Sequence, residues 1–224
     1  MGCYCEKETK VIPSEDKIRE IIDSLKIRKL NITEIKHKIK YIVSESNGSD
    51  IVSLARELRK IFIETDESRN NYLDIHEEIL SEFCYFLENK LTIIQTIFIL
   101  LPISRKISGD NLDLKEVLKE MCGNRISYKE IYPILYKAIE FYTLIITQSI
   151  HKRIEDKKIE RDAGDLIDNY FTEVKIEEKV KKILMKYEGG DKDEYNILTR
   201  DLAENLKKVK FYSYEEIRDL LIYE

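Results

Sequence analysis

Three histidines, His37, His76 and His151, and four cysteines, Cys3, Cys5, Cys84 and Cys122, are the side chains best suited to metal or nucleophilic chemistry in this chain. A structural zinc site needs four such ligands held close together, and their spacing does not supply them. No HExxH occurs, and Glu34 with His37 is one lone ExxH where a carboxylate-bridged di-metal bundle needs two. Cys3 and Cys5 would need Cys84, Cys122 or another chain to complete a set. Neither GxGxxG, GxxxxGK[ST] nor GxSxG is present, so no phosphate-cradling loop or nucleophile elbow is expected. The expectation is no metal and no cofactor. Cys84, beside Tyr85 and Phe86, and Cys122 read as small core residues, and spacing alone leaves disulfides among the four cysteines open.

The opening MGCYCEKETK resembles the doubly acylated start of Src-like kinases in Gly2, Cys3 and Cys5. The acylation signal needs Ser or Thr at position six, where this chain has Glu6, and Lys7 and Lys10 are offset by Glu6 and Glu8. No lipid anchor is expected. Residues 1–13 read as a disordered tail with exposed, oxidisable thiols.

Cations cluster in KIRKLNITEIKHKIK, where Lys26, Arg28, Lys29, Lys36, Lys38 and Lys40 face one acid, Glu34. A helix, short turn and helix of this composition can lay a basic face on phosphates, which makes the stretch the candidate nucleic-acid site. The alternative is a solvated basic face answering residues 65–101, which hold two basic and seven acidic side chains.

A third pattern is RNNYLDIH, Arg69 to His76. Seven residues are two helical turns, so the arginine and the imidazole share one face, where a cation and a general acid–base could act on one phosphodiester. The stretch resembles the Arg–polar spacer–His signature of the HEPN family of helical, metal-independent ribonucleases. The resemblance implies a dimer that brings two motifs together. In each, Arg69 holds the scissile phosphate, Asn70 orients, and His76 transfers protons while the RNA 2′-hydroxyl attacks. The same spacing also suits a surface arginine with a half-buried histidine at a bundle edge.

The elements positioning these residues are helical. Seven glycines and three prolines in 224 residues leave little material for hairpins, and 43% hydrophobic content is enough for a large core. Apolar residues recurring three and four apart predict an all-α bundle of about nine helices, with two long apolar central helices, Leu80 to Leu101 and Ile134 to Ile150. Three capping boxes mark starts: Asn31 with Glu34, Ser127 with Glu130 and Ser213 with Glu216. The charged stretch HKRIEDKKIERDAGD reads as a solvated continuation of the second central helix, and further helices are expected at Ile176–Tyr187, Glu194–Lys208 and Tyr214–Tyr223. Beyond the tail the pattern divides into an N-terminal cap (14–65), a central bundle (66–168) and a C-terminal lobe (169–224), the whole forming one compact unit.

Lys, Glu and Ile are abundant, glutamine occurs only at Gln95 and Gln148, and tryptophan is absent; this resembles hyperthermophile usage or an AT-rich genome. LTIIQTIFILLPI, the most apolar window, is short of the ~20 residues a bilayer span needs. With no secretory pattern, the expected location is the cytoplasm. Ample core, charge segregated on helical faces and the lack of a convergent catalytic set point to a non-catalytic interaction or adaptor subunit, joining a protein partner or a homo-oligomer through residues such as Tyr170, Phe171, Phe211 and Tyr212.

Overall fold

Helix α1 (Pro13–Asp23) begins on a proline followed by Glu15 and Asp16. The ring presets the first turn and lacks an N–H that would go unbonded there, and the carboxylates meet the positive end of the helix dipole. Ile18, Ile21, Ile22 and Leu25 are completely buried, the stripe their spacing predicts. One 3₁₀ turn, Lys26–Lys29, leads to α2 (Ile32–Glu45). Its start is the expected capping box: Glu34 N donates to Asn31 Oδ1 at 2.9 Å and Asn31 N to Glu34 Oε2 at 2.8 Å. The computed structural model describes residues 13–45, 58–63, 71–87, 92–104, 112–187 and 196–223. Among these are eleven α-helices and one two-stranded ribbon, an all-α bundle. Residues 1–12, nearly all of the expected tail, lie outside the described residues.

The long helix expected across Leu80 to Leu101 is two shorter ones, α3 (Leu73–Leu87) and α4 (Ile93–Leu100). The second starts on its own capping box, Gln95 N donating to Thr92 Oγ1 at 3.3 Å and Thr92 N to Gln95 Oε1 at 2.8 Å. A Thr-x-x-Gln at the head of an apolar run is a start signal, not a polar blemish inside one helix. Pro102 sits in the closing 3₁₀ turn, Leu101–Ile103.

Helix α5 (Leu112–Cys122) ends on Gly123, whose φ of 68° is the left-handed conformation expected at that cap. Strand β1 (Arg125–Ser127) pairs antiparallel with β2 (Asn196–Leu198), Ile126 opposite Ile197. The predicted helix from Glu194 is therefore shorter: three of its residues, Asn196 to Leu198, form a ribbon because β1 offers a free edge, and α10 begins only at Thr199.

Helix α6 (Tyr128–Glu140) has the Ser127–Glu130 box and runs through Pro133 into a π turn, Phe141–Ile145, and α7 (Ile146–Arg153). The charged stretch does not continue this helix. Ile154 turns extended and Asp156 caps a new helix, α8 (Lys157–Asn169), its Oδ1 accepting from Lys158 N at 2.9 Å and Ile159 N at 3.2 Å. Helix α8 folds back on α7 and buries Ile159, Ala163 and Leu166. Then come α9 (Glu173–Leu184), capped by Thr172, α10 (Thr199–Lys208) and α11 (Tyr214–Ile222). Ser213 does not cap α11 through its side chain; its hydroxyl instead reaches Glu215, and Glu216 pairs with Lys210 at 2.8 Å.

One hydrophobic core takes side chains from all of these segments. At its edge lies a polar joint between the first and last helices. Arg218 and Glu15 are 0% and 3% exposed and meet in a two-pronged pair, Nε to Oε1 at 2.5 Å and Nη2 to Oε2 at 2.7 Å. The remaining guanidinium nitrogen, Nη1, donates to Tyr142 O at 2.8 Å and Thr147 Oγ1 at 3.0 Å. The π turn makes this carbonyl available: Ile146 N–H bonds Phe141 O and Thr143 O and passes over Tyr142 O. The Phe171 ring lies under the guanidinium at 4.8 Å.

Candidate functional site

Of the HEPN-like residues, Arg69 and Asn70 lie outside the described residues, and His76 is on the first turn of α3. Its ring is fully buried rather than half-buried. Ser24 Oγ donates to Ile21 O at 2.6 Å, leaving its lone pairs toward His76 Nε2 at 3.0 Å, while Ile21 O itself lies 3.2 Å from Nε2. Both neighbours accept, so Nε2 carries the proton and Nδ1 is a bare, buried lone pair. Desolvation pushes the imidazole pKa down, opposed by the hydrogen bond to Ile21, and the ring is neutral. In this position it ties α3 to the end of α1 and presents no nitrogen to solvent.

A histidine neutral in the fold and free to charge when unfolded makes stability depend on pH. Its contribution is complete above the ordinary value of 6.5 and is lost as pH falls from there toward the lowered folded value, because only the unfolded chain takes up the proton. Thermal melts between pH 7.5 and pH 5 should therefore show the parent losing stability more steeply than His76→Gln. Parallel curves would mean that the imidazole is not held neutral.

The basic stretch is largely committed within the fold. Arg28 stacks on the Tyr214 ring at 4.8 Å and pairs with Asp23 at 3.0 Å and Glu215 at 3.3 Å. Lys36 and Lys40, one turn apart on α2, both hold Glu120 of α5, the latter at 2.8 Å. Together they keep its carboxyl below the usual range. Lys29 and Lys38 are exposed and Lys26 half-buried. The acidic stretch is answered from elsewhere: Glu78 and Glu82 of α3 take Lys152 and Arg153 of α7, at 2.5 Å for Lys152 with Glu82 and 2.6 Å for Arg153 with Glu78.

Cys84 and Cys122 are half-buried thiols at the core's edge, and no disulfide joins them among the described residues. Cys122 Sγ donates to Leu118 O at 2.8 Å, and burial pushes its pKa up, the opposite of an activated nucleophile. Cys3 and Cys5 lie outside the described residues. Among the described residues no three His, Cys, Asp or Glu side chains gather as a metal would require, and no helix is long and apolar enough to cross a membrane.

The side chains expected at a contact surface divide. Phe171 and Phe211 are completely buried, the first beneath Arg218 and the second stacked on Phe98 at 5.6 Å between centroids, so they are core residues. Tyr170 remains partly exposed and lines a cavity of about 360 Å³ between α9 and α11. Tyr170, Leu221 and Ile222 supply its apolar lining, while Lys175, Lys179 and Lys182 supply cations from one face of α9. Lys175 Nζ lies 5.1 Å from the Tyr170 ring centroid, and Lys179 is only 6% exposed, its stem packed among neighbours. Glu178 is the one carboxylate among the described residues of this lining. Beside the groove, Val174 of α9 is 63% exposed. Sequence reasoning found Tyr170 but not the lysines. Their i, i+4, i+7 spacing was legible, yet nothing in it showed that α11 would close the other side.

No protein-family model, curated protein or solved structure matches this chain.

Proposed function

We propose that this chain is a non-catalytic, all-helical interaction subunit of a larger intracellular assembly. Its docking surface is the α9–α11 groove, and its occupant is an acidic, amphipathic segment of a protein partner. The observation that carries this reading is the pairing of an apolar lining with three lysines in one concave site. Apolar side chains of a partner gain by leaving water, carboxylates beside them meet the lysines, and the charge match selects orientation and partner. The exposed Val174 extends the contact area along α9. His76 and Arg218, whose chemistry could otherwise suggest catalysis, are held in the structural roles described above.

The test compares tagged parent with Lys175→Glu/Lys182→Glu, both checked for helical content, as bait in native lysate of the source. The parent should hold a stoichiometric partner that carries an acidic amphipathic segment. A synthetic peptide of that segment should bind the parent and lose about tenfold or more against the double variant. A monodisperse parent that holds no partner overturns the subunit reading. A partner, or a second copy of this chain, that binds both baits equally overturns the groove.

A further inference from the structure

Most cations whose partners are described above are answered by a carboxylate across an element boundary: Arg28 by Glu215, Lys36 and Lys40 by Glu120, Lys152 and Arg153 by Glu78, Arg218 by Glu15. A group at the junction of α5, the ribbon and α10 differs. Lys115 and Lys119 stand one turn apart on α5, both exposed, and neither forms an ion pair with any described residue. Arg125 of β1, opposite Leu198 in the ribbon, is likewise exposed and in no ion pair among the described residues. Among the described residues, Arg200 at the start of α10 pairs only with its sequence neighbour Asp201, at 3.4 Å, both side chains well exposed.

Specific contacts hold these segments in place. Thr199 Oγ1 donates to Gly123 O at 2.9 Å and Thr199 N to Asn124 O at 3.1 Å, which ties the start of α10 to the end of α5. Between them lies a cavity of about 300 Å³ lined by Lys115, Lys119, Asn124, Leu198 and Arg200 among others, with no carboxylate among the described residues of its lining.

We infer that this cavity binds a phosphate group, with Lys115, Lys119 and Arg200 as its cationic ligands and Asn124 as a neutral one. Three cations around one concavity repel each other until an anion enters. Low-dielectric walls focus their field into the space between them. The planar guanidinium of Arg200 can grip two phosphate oxygens while the lysines act as point charges. Leu198, 39% exposed at the rim, offers apolar surface to whatever carries the phosphate. The phosphate can belong to a small molecule or to a nucleic-acid backbone; Arg125, just outside the cavity, would extend the contact only for the second.

The test titrates the full chain at about 50 mM salt with pyrophosphate and, separately, with a labelled single-stranded oligonucleotide. It then repeats both with Lys119→Gln/Arg200→Gln, and with Lys26→Gln/Lys38→Gln as a control from the other basic stretch. Binding of either probe that weakens about tenfold or more in the first variant, and by less than twofold in the control, supports the site. Pyrophosphate binding assigns it to a small phosphorylated molecule. Oligonucleotide binding alone, weaker with added salt and with Arg125→Gln, assigns it to a backbone. Failure of both probes to bind the parent overturns the inference, as does binding that the first variant leaves unchanged or that only the control removes.

Discussion

Arg218→Met should lower the unfolding free energy by about 3–5 kcal/mol, because the change leaves the Glu15 carboxylate buried without its main cation. Near 2–4 °C per kcal/mol for a chain of this size, the melting temperature should fall by roughly 6–20 °C. Glu15 would keep only the Arg19 contact at 3.3 Å, and Arg19 is already shared with Asp219 at 2.5 Å. The loss also orphans Tyr142 O, which the π turn has released from the helical ladder, and removes the guanidinium from the Phe171 ring. Glu15→Leu/Arg218→Met removes both charges and should recover more than half of the loss, since a buried pair replaced by apolar groups is often near neutral. Urea unfolding of the four chains in this cycle measures the coupling directly. A single variant within about 0.5 kcal/mol of the parent would show that the joint between the first and last helices holds nothing.

The second large effect is expected at Phe83. Its ring is completely buried, 5.2 Å from Phe62 and 4.8 Å from Phe141 between centroids, so it joins α3 to the 58–62 segment and to the π turn. Truncation to alanine removes two aromatic contacts and opens a cavity between elements that cannot all close on it, at a cost of about 3–5 kcal/mol. Phe83→Leu keeps most of the volume and should cost less than half as much. Equal losses in the two variants would mean that ring geometry, rather than filled volume, sets the stability there.

Phe83 and Arg218 represent two classes of information. Phe83 belongs with Leu80 to a stripe of α3 that is visible in the sequence, because apolar periodicity and burial follow one cause, the removal of one helix face from water. Starts with reciprocal side-chain bonds were as legible: Asn31 with Glu34 and Ser127 with Glu130 act within a single turn. Thr92 with Gln95 carried the same signal but was submerged in an apolar run. The break at Ile154 was missed for a related reason. Opposite charges four apart suit a continuous helix, but Asp156 at a cap competes for the same backbone, and burial of Ile159, Ala163 and Leu166 against α7 decides the outcome.

The candidate sites were less legible. A basic run such as Lys26 to Lys40 shows how many cations lie close in sequence and nothing about which are neutralised by Glu120 or Glu215. Those carboxylates are remote in sequence, and ion pairing across elements follows from packing. The cations around the α5–α10 cavity come from three separate stretches that no local window joins. Arg69 and His76 share spacing with a catalytic motif, yet whether an imidazole meets solvent or the carbonyl of Ile21 depends on where another helix ends.

By itself, then, the amino-acid sequence determined that this chain is all-α, where several of its helices start, and which faces turn inward, because these depend on interactions within a few turns and on the free energy of burying apolar surface. Only the tertiary structure decided that Arg218 closes on Glu15 through a π turn, that His76 is a neutral core residue, that two strands join 125–127 to 196–198, and which cations remain unanswered. Each of these depends on groups brought together from distant parts of the chain, where a charge or a hydrogen bond is worth what its final surroundings make it worth.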